Sequence, residues 1–168
     1  MASLAVSTLE ERRLTGWWLS KDRDAVVEAC TRMYWHIDRR EWNQLAEVLD
    51  DVVYLEFTDL GATGADRPRE AVIDSYRKTV AKFQATQHLL GSYLVTPEAE
   101  EGVASCSAQV QAVHRRANPT GDPLWILGCD HYYTVRRDAH GRWRIRSLRM
   151  TSSWGAGNQY IAALGPVE

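Results

Sequence analysis

Five histidines, and one acid at the rim of an apolar helical stripe, carry the chemistry this sequence could perform. Asp38 follows an apolar series, Val26, Val27, Cys30, Met33, Tyr34 and Ile37, which fills one arc of a helix at about 100° per residue. It falls on the edge of that arc, one turn after Tyr34 and on the side of Val27, so it looks into the protein and needs a partner there. His88 opens an alternating segment whose phase groups it with Leu90 and Leu94. His114 shares a face with Cys106, Ala108, Val110 and Ala112, and His131 shares one with Trp125, Leu127, Cys129 and Val135. His36 points nearly opposite to Asp38 and His140 sits in a hairpin turn, so both read as surface residues. Taken singly, any of these histidines is more often a satisfied core residue than a functional one.

Metal binding finds little support, because no two histidines lie close on one strand or helix turn as a zinc site needs. No G-x-S-x-G marks a nucleophile, no Cys stands in a basic setting, and no glycine-rich loop offers a phosphate cradle. Acid–base chemistry remains. Imidazole takes and returns a proton near neutrality, and a carboxylate on one ring nitrogen fixes the tautomer and raises the basicity of the other. Asp38 and His88 would make such a pair if the helix packs over the strand.

The elements that would position them can be read along the chain. Residues 1–20 form a lead-in, partly flexible, ending on Trp17-Trp18, and 21–168 form one domain. Asp22 or Asp24 caps the first helix, a short second helix spans 41–49, and a strand spans 52–58 before the Gly61-Ala62-Thr63-Gly64 turn. Asp66 and Pro68 start a third helix over 69–82, with Ala71, Val72, Tyr76, Val80 and Phe83 on its apolar face. Strands follow at 87–95, 103–114, 125–137 and 143–152, parted by turn residues. Helices first and strands afterwards predict an α+β fold with an antiparallel sheet.

The segment Asp38-Arg39-Arg40-Glu41-Trp42, an apolar strand, and then Thr86-Gln87-His88-Leu89-Leu90-Gly91 resembles the scytalone dehydratase and polyketide-cyclase-like (SnoaL-like) branch of the NTF2-like superfamily. Gly141-Arg142-Trp143-Arg144-Ile145 and Trp154-Gly155 extend the resemblance, which covers about residues 24 to 160. It implies a cone of three helices on a strongly curved mixed or antiparallel sheet enclosing a pocket. It also implies that Asp38 and His88 form a catalytic dyad removing a proton from carbon without any cofactor, with His114 as an acid assisting the leaving group. Tyr132 and Thr134 match a strand that contacts substrate, with His131 replacing them if the register slips by a residue. Trp154 matches a closing tail. The two tyrosines that hold a water on the substrate carbonyl in scytalone dehydratase become Ile37 and Phe57, leaving Tyr34 and Tyr54 as substitutes.

The expected function is a cofactor-independent lyase, of dehydratase type, on a small hydrophobic polyketide-, terpenoid- or aromatic-like molecule. A cyclase or isomerase would use the same dyad. A non-catalytic ligand-binding protein, or a structural partner like the small subunit of ring-hydroxylating dioxygenases, is the competing class. A net charge of −2 with interspersed Arg argues against nucleic acid, and no segment has the length to span a membrane. Seven Trp and seven Tyr against two Phe suit cores and pocket walls alike. Three dispersed Cys suggest no disulfide framework, and a cytoplasmic homodimer or homotrimer is expected.

Overall fold

Helix α1, Ser20–Arg39, forms where the apolar series predicts it, and Val26, Ala29, Cys30, Met33, Tyr34 and Ile37 are all buried along one stripe. Neither Asp22 nor Asp24 is its cap residue. The helix starts one turn earlier, and Asp22, in its first turn, accepts the Leu19 backbone N–H at 2.8 Å and pairs with Arg137 at 2.6 Å. At the other end Arg40 turns left-handed at φ 58° and stops the helix. Its guanidinium donates to the Val80 and Phe83 carbonyls at 3.3 and 2.8 Å, which ties the end of α1 to the next layer of helix.

The computed structural model describes residues 18–57, 62–117 and 121–167. Most of the expected lead-in, including Trp17, and part of two expected turns lie outside them. Trp18 lies within them, edge-on to Trp143 at 5.8 Å. After α1 come α2 (Trp42–Val48), β1 (Leu49–Phe57), β2 (Ala62–Pro68), α3 (Arg69–Val80), β3 (Ala85–Pro97), β4 (Val103–Arg115), β5 (Leu124–Arg137) and β6 (Trp143–Gly157), then a short 3-10 turn at Gln159–Ala163. The six strands lie in the order β2-β1-β6-β5-β4-β3. β1 runs parallel to β6 and every other neighbouring pair is antiparallel, so the sheet is mixed. Three helices pack on one face of this curved sheet, and the fold is α+β.

Three expectations need correction. The segment read as a turn before the third helix is the edge strand β2, whose polar sequence ATGADRP pairs only with β1 and has no buried face to impose an alternation. Leu94 does not share the face of His88. A bulge between Gly91 and Leu94, with Ser92 at φ 52°, inverts the phase of β3, so Tyr93 turns inward and Leu94 is 72% exposed. His36 is buried, not superficial, because Glu41 folds back at the helix end and meets its Nδ1 at 2.7 Å.

The main core lies between the helices and the sheet, with Met33, Ile37, Leu45, Leu49, Val53 and Ile145 almost wholly enclosed. Met33→Ala empties the centre of the α1 stripe and is expected to cost about 2–5 kcal/mol. Denaturant unfolding checks it: the midpoint falls with an unchanged slope.

Candidate active site

Asp38 ends the apolar stripe of α1 and reaches the first residues of β3. Its Oδ1 accepts the Thr86 hydroxyl at 2.8 Å and meets His88 Nδ1 at 2.7 Å, while Oδ2 accepts the His88 backbone N–H at 2.8 Å. The helix therefore does pack over the strand, and strand alternation sets Thr86 and His88 on one side of β3. Burial pushes the Asp38 carboxyl up. The hydrogen bonds and charge of His88, with Thr86, outweigh that and hold it below the usual carboxylate range. With Nδ1 engaged, Nε2 is the His88 nitrogen left to the cavity beside it.

That cavity has a volume of about 300 Å³, at the lower end for a small-molecule site. Its walls come from α1 (Tyr34), β1 (Leu55, Phe57), α3 (Ser75, Tyr76, Thr79) and the inner faces of β3 to β6. Ala112, Leu127, Cys129 and Met150 make an apolar floor, and among the described residues neither Lys, Arg, Asp nor Glu lines the cavity. Three imidazoles share the space. The Tyr34 ring lies 4.4 Å from that of His88 and 5.3 Å from that of His131, and His88 meets His114 edge-on at 5.8 Å. His114 stacks on Trp125 at 4.7 Å and packs against Phe83 at 4.7 Å.

The environments of these imidazoles differ. Burial, then the neighbouring His88, pulls His114 down to about 4, offset in part by Trp125 and Asp38. Burial and His88 likewise pull His131 down to about 3. Both are therefore neutral at neutral pH. Tyr34 and Tyr76 are pushed up by burial and stay protonated. Among the described residues no group of three or more His, Cys, Asp or Glu is disposed to hold a metal ion.

The structure brings together Tyr34, Asp38, Phe57, His88, His114 and His131. It does not bring Tyr54, Tyr132, Thr134 or Trp154 to this cavity. Tyr54 alternates outward between Val53 and Leu55, and its hydroxyl donates to Glu56 at 3.0 Å. Tyr132 and Thr134 point away because β5 is in the phase that turns His131 and Tyr133 inward, and the Arg149 guanidinium covers the Tyr132 ring at 4.9 Å. Trp154 closes nothing over the pocket. The pairing of β6 with β5 continues to Gly157, and the indole lies across Gly128 in an outer groove with Leu89 and Gln111. Ile37 is core, 1% exposed.

Three residues of the cavity wall, Ser75, Tyr76 and Thr79, and the Asp38 partner Thr86 are not among the site residues expected from the sequence. Thr86 had a signal, since it stands two residues before His88 and so on the same side of the strand. Tyr76 had one too, on the apolar face of α3, whereas the polar Ser75 and Thr79 had none.

A family model for the SnoaL-like domain matches residues 18–149. No curated protein sequence matches the chain significantly. Among solved structures, the Kfla4162 protein of Kribbella flavida is similar at 24% identity and a TM-score of 0.79, over 86% of this chain and 98% of that one. A proposed scytalone dehydratase from Novosphingobium aromaticivorans shares 18% identity with a TM-score of 0.70, over 82% and 88% of the two chains. The hexachlorocyclohexane dehydrochlorinase LinA-type3 of Novosphingobium barchaimii shares 13% with a TM-score of 0.69, over 83% and 91%. At such identities these likenesses speak for the fold. No described helix is long and apolar enough to cross a membrane. The family match over the helices and most of the sheet, together with the cone they build, makes this chain a member of the SnoaL-like family, with an NTF2-like fold.

Proposed function

We propose that this chain is a cofactor-independent acid–base enzyme, a lyase of dehydratase type, acting on a small hydrophobic molecule. One observation carries the reading: a carboxylate with three hydrogen-bond donors holds one nitrogen of His88 and leaves the other to an apolar cavity. Nε2 of His88 takes a proton from carbon next to an electron-withdrawing group. The released electron pair forms the new double bond as the leaving group departs with the pair from its own bond. Asp38 balances the imidazolium so formed, and that proton then passes to a leaving hydroxyl or to solvent. Dehydration and dehydrochlorination, the activities in the names of two structural neighbours, are both eliminations of this form. A cyclase or isomerase begins with the same proton abstraction and differs only in where the electron pair goes.

The first step can be tested without the natural substrate. α-Tetralone, an uncharged bicyclic ketone, exchanges its α-protons for deuterium when a base removes them. Catalysed exchange, faster than in buffer alone, is expected. NMR reads the deuterium content directly. Exchange no faster than in buffer would count against a histidine base.

A further inference from the structure

His131 stands opposite the base, 2% exposed, with Tyr34 between the two rings. Its Nδ1 lies 3.0 Å from the Tyr133 hydroxyl, itself enclosed in the core. This hydroxyl carries one proton, and His131 Nδ1 is the partner the structure gives it. Burial raises the Tyr133 phenol, which therefore keeps that proton, and lowers His131, which is therefore neutral. Both groups are satisfied in one arrangement only. The phenol donates to Nδ1, and the single imidazole proton sits on Nε2. That atom is left to the cavity, where no cation among the described residues competes with it for a substrate oxygen.

We propose that His131 is the oxygen-binding donor of this site, its Nε2–H held toward the cavity by Tyr133 and meeting the carbonyl or similar acceptor of an uncharged substrate beside the carbon that His88 deprotonates. The substrate class follows from the walls. A carboxylate or phosphate would enter an apolar cavity whose described walls hold neither Lys nor Arg to receive it, whereas a ketone-like oxygen finds a neutral donor. As negative charge moves onto that oxygen during proton removal, the hydrogen bond strengthens, so the same contact orients the substrate and favours the reaction. Tyr133 is a positioning residue that acts through His131. This assignment rests on the acid–base reading for its place in a reaction, though not for the binding contact itself.

Two measurements test it. Long-range proton–nitrogen NMR of the imidazoles is expected to show His131 neutral with its proton on Nε2, and Tyr133→Phe is expected to lose that single tautomer. A wild-type His131 protonated on Nδ1 would overturn the proposal. Binding is then compared for α-tetralone, for tetralin, which has the same shape without the oxygen, and for tetralin carboxylate. Wild type is expected to favour the ketone over tetralin by about tenfold, the worth of one buried hydrogen bond, and to reject the carboxylate. His131→Leu is expected to erase the preference and His131→Gln, which keeps an N–H donor, to retain part of it. An undiminished preference in a folded His131→Leu overturns the assignment. If that variant does not fold, the wild-type and Tyr133→Phe spectra still decide. Exchange and ketone preference, both read on the wild-type protein, separate the two readings. Ketone preference without wild-type exchange sinks the base, and exchange without preference sinks the donor.

Discussion

His88→Ala is expected to lower the rate of α-proton exchange by about 10²–10⁴-fold, the range a positioned general base contributes, while the protein stays folded. The loss is large because no other described wall residue can take over. His114 and His131 are pulled down to about 4 and 3, too weakly basic to replace it. Asp38→Asn should cost a similar factor for a different reason. The carboxylate offers only acceptors to three donors: the Thr86 hydroxyl, His88 Nδ1 and the His88 backbone N–H. An amide has one oxygen. With its oxygen toward Nδ1, its NH₂ group confronts the His88 backbone N–H. With the amide reversed, the NH₂ donates to Nδ1 and moves the ring proton to Nε2, the atom that must accept. The first arrangement loses the anchor on the His88 backbone and the second the free acceptor, and in both the imidazolium loses its countercharge, although the shape of the side chain is kept. Deuterium incorporation measured beside circular-dichroism melting separates lost chemistry from lost fold. Near wild-type exchange in either variant would remove the dyad from the mechanism.

The second large effect is on stability in acid. An unfolded chain protonates His near pH 6.5, whereas His114 and His131 resist protonation down to about 4 and 3 in the folded protein. The folded values are lowered, so the unfolded state binds more protons. Stability is intact above about pH 6.5 and is lost as pH falls toward the folded values. Each such histidine steepens the loss by on the order of 1 kcal/mol per pH unit between roughly pH 6 and 4, and the two together by about twice that. The lowered Asp38 carboxyl adds to the loss further down, below about pH 4. Denaturant midpoints taken across this range are expected to drop steeply, and His114→Phe to remove about half the slope. A stability curve level from pH 7 to about 4.5 would mean that water reaches both rings.

Much of the site was legible because its signals are local. The 3.6-residue period put Asp38 at the rim of a buried stripe, and two-residue alternation put His131 on the same face as Leu127 and Cys129. The resemblance then joined Asp38 to His88 across a gap no periodicity spans. It also pointed at Tyr132 and Thr134, one residue out of phase with the alternation that favoured His131, and here the local rule was the better guide. Elements set by neighbours were not legible. β2 is a strand only because β1 offers it an edge, and its own residues bury nothing that a pattern could reveal. His36 is buried by Glu41 folding back on it, a contact made after the helix has ended. Tyr54 is offered by the resemblance as a substitute tyrosine and Trp154 as a closing tail, yet the pairing of β1 and β6 turns both outward.

The bulge at Ser92 gives β3 two reading frames. Before it, the even-numbered residues Thr86, His88 and Leu90 face inward. After it, the odd-numbered Tyr93 and Val95 do, and the Tyr93 hydroxyl meets that of Thr31 at 2.6 Å. The strand is thus spliced from a half that serves the site and a half that clamps α1. Substitutions that remodel the site half leave the clamp in frame, so the cavity can diverge toward new substrates while the helix carrying Asp38 stays anchored. A protein built this way can evolve its chemistry and its scaffold on separate accounts along one strand.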